Sequence, residues 1–365
     1  MKKACVATAI AAAAAFATAS AAASPGDLYV AEFGANQVTR VKPATGDTRT
    51  VRDGGPMATA SYLAFEPDGS LVVTDEDRPG VFRIDPRTGK TRKIGGEGLS
   101  GPYGVARAAT GRLVFADFSL GAVLSMNPRT GAYVPLAAGG FISVPYGVAV
   151  SPAGHTFVTD AGGEVLRIAR NGSRRTIAES PDLSAPWSIA RAPDGTLFVG
   201  DQGANQVLRV NPDSGSVTPV APVEYPLGIA VAPSGALFVT SYEAGEVVRI
   251  NPGGGAPQTV ATDLSEPVGI AIEPPRCFGR TATIPGSTKR DRLQASRFAD
   301  VIAGLGGNDL LGAGAGADRV CGGPANDRIR ATKGRNRVDC GPGKRDVAIV
   351  NAKTKVRGCE RVKRR

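Results

Sequence analysis

Six times along this chain a glycine opens a short apolar run that closes on an acid or a serine: Gly26 (GDLYVAE), Gly69 (GSLVVTD), Gly111 (GRLVFAD), Gly154 (GHTFVTD), Gly195 (GTLFVGD) and Gly235 (GALFVTS). The spacings are 43, 42, 43, 41 and 40 residues. A period of that length means one supersecondary unit used repeatedly, because a single unit cannot bury its own apolar faces. Each unit runs in the same order: an apolar run, a loop, a second run such as QVLRVNP, a turn such as PRTG, a short third run, then a proline-led run such as PYGVAVSP. Apolar alternation over four to eight residues between Gly, Pro and Asp turns is the signal of a strand. The 48 glycines and 27 prolines among 365 residues supply the turn chemistry that many short strands need.

Four short strands in ~40–45 residues is the period of a propeller blade. The count closes on six. The first unit starts at its second strand, and the last proline-led run, PVGIAIEP (Pro267 to Pro274), has no unit of its own. That run can serve as the inner strand of the first blade and remove two exposed sheet edges. The expected fold is therefore all-β, a six-bladed β-propeller over residues 26–275. The P-x-G-I-A, D-G-x-L-F-V-T-D and N-x-V-x-R-V-x-P elements resemble NHL-type propellers, the senescence-marker/gluconolactonase group and the virginiamycin B lyase group. The resemblance implies the fold; propellers of this kind host hydrolases, lyases and binding scaffolds alike.

Two sets of side chains should converge on one propeller face. The residues after each proline are Tyr103, Tyr146, Trp187, Leu227 and Val268, with Ser61 in the matching place of the remaining unit. Tyr103, Tyr146 and Trp187 on successive blades can form an aromatic platform for an apolar or sugar-like ligand, or can simply fill a tapering channel. The second strands end in Glu32, Asp75, Asp117, Asp160, Asp201 and Ser241. A gluconolactonase-like propeller would use such acids to hold a divalent cation. Recurrence in nearly every blade points instead to loop capping through backbone N–H groups.

Catalytic groups are sparse. A lyase of the virginiamycin B type requires a histidine at the channel mouth, and the only histidine, His155, falls in a turn on the opposite face. For a gluconolactonase-like metal-dependent hydrolase, Glu32, Asn205 and Asp201 are the nearest candidates by residue type. No serine has the partner histidine of a Ser-His-Asp triad.

Beyond Cys277 the rhythm becomes nine residues. Asp291, Asp300, Asp309, Asp318 and Asp327 are followed by Asn336 in the next slot. Each is followed two positions later by an apolar residue (Leu293, Ile302, Leu311, Val320, Ile329, Val338) and preceded by five with Gly or Ala. The segment 286–339 is similar to the hemolysin-type (RTX) calcium-binding repeat, G-G-x-G-x-D-x-U-x, which implies a short parallel β-roll. Residues eighteen apart then stack, Asp300 on Asp318 and Asp309 on Asp327. Carboxylates and backbone carbonyls of neighbouring turns, ~4.8 Å apart, can enclose Ca2+. Arg and Lys crowd the degraded outer turns, so one or two calcium ions are expected around Asp300 to Asp327; a roll held by its apolar ladder and disulfides without metal is the alternative.

The ends complete the organisation. Lys2 and Lys3, the apolar run Ala4–Ala19 and small residues to Ala23 have the layout of a secretory leader (1–23), cleaved after Ala21 or Ala23, with Cys5 removed. Cys277, Cys321, Cys340 and Cys359 then read as two disulfides, with three possible connectivities, Cys277–Cys321 with Cys340–Cys359 being favoured. The roll domain is set at 277–360 and a basic tail at 361–365. From Arg276 onward there are 21 Lys and Arg against 8 Asp and Glu, a net of +13, which leaves −3 for residues 1–275. That basic end is either a docking surface for an anionic cell-wall polymer or, as the favoured account, a solvated charge run; it lacks the interleaved aromatics that read nucleic-acid bases. The functional expectation is a secreted, monomeric, calcium-binding and non-enzymatic protein, without a membrane span, that holds a ligand or partner on its propeller face. The metal-dependent lactonase or esterase is the second reading.

Overall fold

The computed structural model describes residues 26–365 apart from 54, 141, 180 and 182; the leader reading of residues 1–23 lies outside the described residues. What is described contains strands and no helix, so no helix is long and apolar enough to cross a membrane. Six four-stranded antiparallel sheets form the propeller blades. Blade 1 takes its inner strand from the far end of the domain: Pro267–Ile272 pairs with Leu28–Glu32, followed outward by Gln37–Val41 and Thr48–Asp53. Blades 2 to 6 are continuous in sequence and begin at Leu63–Phe65, Pro102–Arg107, Pro145–Val150, Pro186–Arg191 and Pro226–Val231.

Burial follows distance from the axis. Every second strand, such as Leu197–Asp201, is buried along its whole length, since blades cover both of its faces. The outermost strands, such as Val217–Pro222, are mostly exposed. In all six blades the third and outer strands slip register at the same place, for example between Val207 and Leu208; this bulge adds the twist that a blade needs.

Around the axis the inner strands approach closely at Gly104, Gly147, Gly228 and Gly269. A Cβ on Gly228 would lie 2.1 Å from the Val268 carbonyl oxygen, and one on Gly269 would lie 2.6 Å from that of Ser61. Blade 2 carries Tyr62 in this slot, and its ring fills part of the channel.

After the propeller, the hairpin Arg276–Cys277 and Arg280–Thr281 leads into a parallel β-solenoid. Two five-stranded sheets face each other. One is Ile284–Pro285, Val301–Ala303, Arg319–Cys321, Arg337–Asp339 and Lys355–Arg357; the other is Arg292–Gln294, Leu310–Gly312, Arg328–Ala331, Val347–Val350 and Arg361–Arg364. Pairing eighteen residues apart puts Ile302, Leu311, Val320, Ile329 and Val338 into one fully buried ladder. The segment set apart as a basic tail is corrected here: Arg361–Arg364 pairs in parallel with Val347–Val350 as the last, exposed strand of its sheet, the backbone ladder continuing past the apolar core. The disulfides are Cys277–Cys321 and Cys340–Cys359. The first ties the interdomain hairpin to the solenoid, and the Thr281 N–H donates to the Pro67 carbonyl at 3.3 Å, so the solenoid sits on the face of the first-to-second-strand turns.

Gly228→Ala should therefore destabilise the propeller by about 1–3 kcal/mol through overpacking at the axis, measured by urea unfolding. A variant as stable as the parent would contradict the close packing of the inner strands.

Candidate functional site

The upper face of the propeller, opposite the solenoid, gathers aromatic side chains. Threonines of one blade hold the inner strand of the next: the Thr74 hydroxyl donates to the Tyr103 carbonyl at 2.6 Å, Thr159 to that of Trp187 at 3.0 Å and Thr240 to that of Val268 at 2.7 Å. So anchored, Tyr146 and Trp187 stack with centroids 3.8 Å apart and planes 13° apart. Tyr103 packs edge-on to both, and the Trp187 Nε1–H donates to the Tyr103 hydroxyl at 3.0 Å. Tyr103 is buried, whereas Tyr146 and Trp187 are half-exposed. The three residues expected to converge do so, Tyr103 packed inside the cluster and the Tyr146–Trp187 pair partly exposed at its edge.

Sequence reasoning missed four contributors. Tyr62 touches Tyr103 with centroids 4.8 Å apart, and its hydroxyl donates across the channel to the Leu227 carbonyl. Phe118 packs on Tyr103 and Tyr146. Tyr242 lies partly buried against the same cluster. Glu76 follows Asp75 in the slot that holds Phe33, Phe118 and Tyr242 in other blades. Burial, with repulsion from Asp77 and Asp75, pushes the Glu76 carboxyl up to about 7. Burial also pushes Tyr62, Tyr103 and Tyr146 upward, each with a contribution from Glu76. The readable signal was that Tyr62 and Glu76 break a repeat slot.

The second-strand acids are caps. Asp201 accepts from the N–H groups of Ser184 (2.8 Å), Ala185 (3.0 Å) and Ala204 (3.0 Å). Asp117 does the same with Ser100, Gly101 and Leu120. Glu32 accepts from the Ser265 N–H at 2.7 Å and from Gln37, and Asn205 Oδ1 accepts from the Tyr225 N–H at 2.8 Å. His155 Nε2 lies 2.9 Å from Arg167 Nη2; burial and then Arg167 push its pKa down.

In the solenoid the acids form edge ladders. The N–H of Asp300 donates to Asp318 Oδ1 at 2.9 Å, that of Asp309 to Asp327 Oδ1 at 2.9 Å and that of Asp327 to Asp346 Oδ1 at 2.6 Å. The other oxygens, Oδ2 of Asp309, Asp318, Asp327 and Asp346, are buried without a partner. Burial pushes Asp309 and Asp327 up to about 7 and Asp318 to about 6. These oxygens face space that glycine keeps open: a Cβ on Gly322 would stand 2.3 Å from Asp327 Oδ2 and one on Gly304 2.5 Å from Asp309 Oδ2. Asp300 differs, since its Oδ2 accepts from the Ser296 N–H at 2.8 Å and the Ser296 hydroxyl at 2.7 Å. Among the described residues no three His, Cys, Asp or Glu side chains cluster about one point. The donor set is instead one carboxylate per turn plus carbonyls, which suits a hard oxygen-seeking ion such as calcium.

Residues 96–279 match the family model described as the virginiamycin B lyase family. The chain belongs to the virginiamycin B lyase family. Residues 285–320 match the RTX calcium-binding nonapeptide repeat, a repeat that, like disulfides, is typical of extracellular proteins. No curated protein matches this lyase-family chain. Among solved structures it is similar to a chain of a nidogen/laminin complex, with 19% identity, TM-score 0.62, and 67% of this chain and 97% of that one covered. It is also similar to virginiamycin B lyase from Staphylococcus aureus, with 17% identity, TM-score 0.52, and 68% and 85% covered. A catalytically inactive virginiamycin B lyase from Staphylococcus aureus with quinupristin gives 16% identity, TM-score 0.52, and 68% and 92% covered. At these identities the structures share a fold with the lyase-family chain.

Two outcomes follow. Glu76 has a folded pKa above its unfolded value of 4.5, so its stabilising contribution is full below pH 4.5 and is lost as pH rises through about 7. Glu76→Gln should flatten the loss of thermal stability between pH 5 and 8 and be about 1–2 kcal/mol more stable than the parent at pH 8, after allowance for solvent screening. Asp327→Asn should weaken calcium binding by about tenfold or more in a calorimetric titration, while the exposed-loop change Asp213→Asn should leave it unaltered.

Proposed function

We propose that this chain is an exported, calcium-dependent binding protein whose upper propeller face holds an apolar or sugar-like ligand without transforming it. Residues 1–23 act as the export leader. The observation that supports this reading is the contrast on and around the propeller: an aromatic stack stands half-exposed, while the polar groups that chemistry would require are already engaged. Glu32 uses its oxygens on the Ser265 N–H and the Gln37 side-chain amide, and Asp201 and Asn205 use theirs on backbone N–H groups, which leaves a lactonase-type metal without free ligands. His155 sits against Arg167 and before the second strand of its blade, at the opposite end from the aromatic cluster. An aromatic pair offers a large contact area at small ordering cost.

Calcium has its place in the solenoid. Asp309, Asp327 and Asp346 along one edge, with Asp318 on the other, are the residues that would hold it, and Asp300 contributes less because Ser296 occupies its second oxygen. Bound calcium supplies the positive charge that lets these buried carboxylates ionise, and so makes solenoid order depend on the ion. The strongly basic solenoid is a fitting surface for an anionic cell-wall polymer.

Trp187 is the only tryptophan of the chain, so its emission reports on this face alone. Quinupristin, present in one of the related structures, is a suitable probe. Saturable quenching of Trp187 with no change in quinupristin mass over a day is expected, and Tyr146→Ala should weaken the binding by about tenfold. Turnover that disappears in Glu76→Gln would replace this reading with an elimination catalyst using Glu76 as its base.

A further inference from the structure

The opposite end of the channel opens on a cavity. Between the propeller and the solenoid lies a cavity of about 320 Å³, within the size range of small-molecule sites. Its propeller wall is the ring of residues that end the inner strands. In four blades this slot is apolar: Phe65, Val150, Val231 and Ile272. In blades 3 and 5 it is Arg107 and Arg191. Ile284 and Leu293 of the solenoid form the roof.

Among the described residues neither the Arg107 nor the Arg191 guanidinium makes a hydrogen bond or an ion pair, and Arg107 Nε is fully buried with no acceptor. Burial pushes both guanidinium pKa values down; the carboxylates Glu66, Asp68 and Asp300 offset this only in part at Arg107. The carboxylates on the cavity wall are each engaged: Glu66 with Arg83, Glu273 with Arg276 at 3.4 Å, and Asp300 with Ser296 and Thr283. The wall therefore combines aliphatic surface with two cations that lack partners. A buried guanidinium without an acceptor carries a desolvation cost that an incoming anion removes.

We propose that this interdomain cavity binds a small carboxylate with an apolar body, its anionic head met by Arg107 and Arg191 and its hydrocarbon lying against Val150, Val231, Ile272 and Leu293. The site needs both domains, since the propeller supplies the cations and the solenoid the roof that excludes water. The Cys277–Cys321 bond keeps the two together. This ligand is separate from whatever the aromatic face holds, and Trp187 on the far side does not report it.

The test is calorimetric titration of the full chain in calcium with octanoate, 1-octanol and octylamine, three probes with one tail and different heads. Octanoate should bind at a single site, octanol about tenfold or more weakly, and octylamine not measurably. In the double variant Arg107→Gln, Arg191→Gln, octanoate should fall to the octanol level, while Arg107→Lys, Arg191→Lys should stay within about threefold of the parent. Circular dichroism melting checks that both variants fold, and the head-group comparison on the parent stands even if they do not. Equal binding of the three probes, absence of octanoate binding, or unchanged octanoate affinity in the glutamine variant would each overturn the assignment.

Discussion

The hydrogen bonds between Pro267–Ile272 and Leu28–Glu32 close the ring, and the remaining architecture follows from them. A six-bladed sheet ring with its ends unjoined would expose two strand edges and leave its axis unpacked. Closure by the last inner strand also fixes where the chain leaves the propeller. It exits on the face of the first-to-second-strand turns, so the solenoid covers that mouth and leaves the other to the aromatic cluster. One pairing thus decides which end of the channel is roofed and which is open.

The same residue type has two fates in this molecule. Asp201 in the propeller receives three backbone N–H groups and both of its oxygens are satisfied. Asp327 in the solenoid receives one and keeps a buried oxygen without a donor, with its carboxyl pushed up to about 7. Buried polar atoms are nearly always satisfied, so the row of oxygens without donors suits an oxygen-seeking cation, where saturated ones mark a structural cap. Counting donors around each acid separates the two environments better than residue identity does.

Periodicity explains how much could be read beforehand. The blade number, the closing strand and the eighteen-residue stacking all derive from averages over repeats, which a sequence displays openly. Tyr62, Glu76, Arg107 and Arg191 are exceptions to their slots, and an exception carries no spacing of its own; each acquires meaning only when the ring places it against its neighbours. Asp346 and Glu360 were missed for a related reason. They continue the carboxylate ladder, with the Asp346 N–H donating to Glu360 Oε2 at 2.7 Å, but at intervals of ten and fourteen residues that break the nine-residue count. The basic end was read as a tail because its charges hide a strand that adds to the sheet by backbone pairing, with Val362 in register with Ala348 but exposed.

Hydrogen–deuterium exchange of the full chain, with calcium and then with a chelator, addresses the central claim most directly. A self-closed propeller carrying a calcium-ordered solenoid predicts that chelation speeds exchange at Val301–Ala303, Leu310–Gly312, Arg319–Cys321 and Arg328–Ala331, while Leu28–Glu32 and Pro267–Ile272 stay protected. Unchanged exchange throughout the solenoid, or loss of protection in the closing strands along with it, would contradict the account.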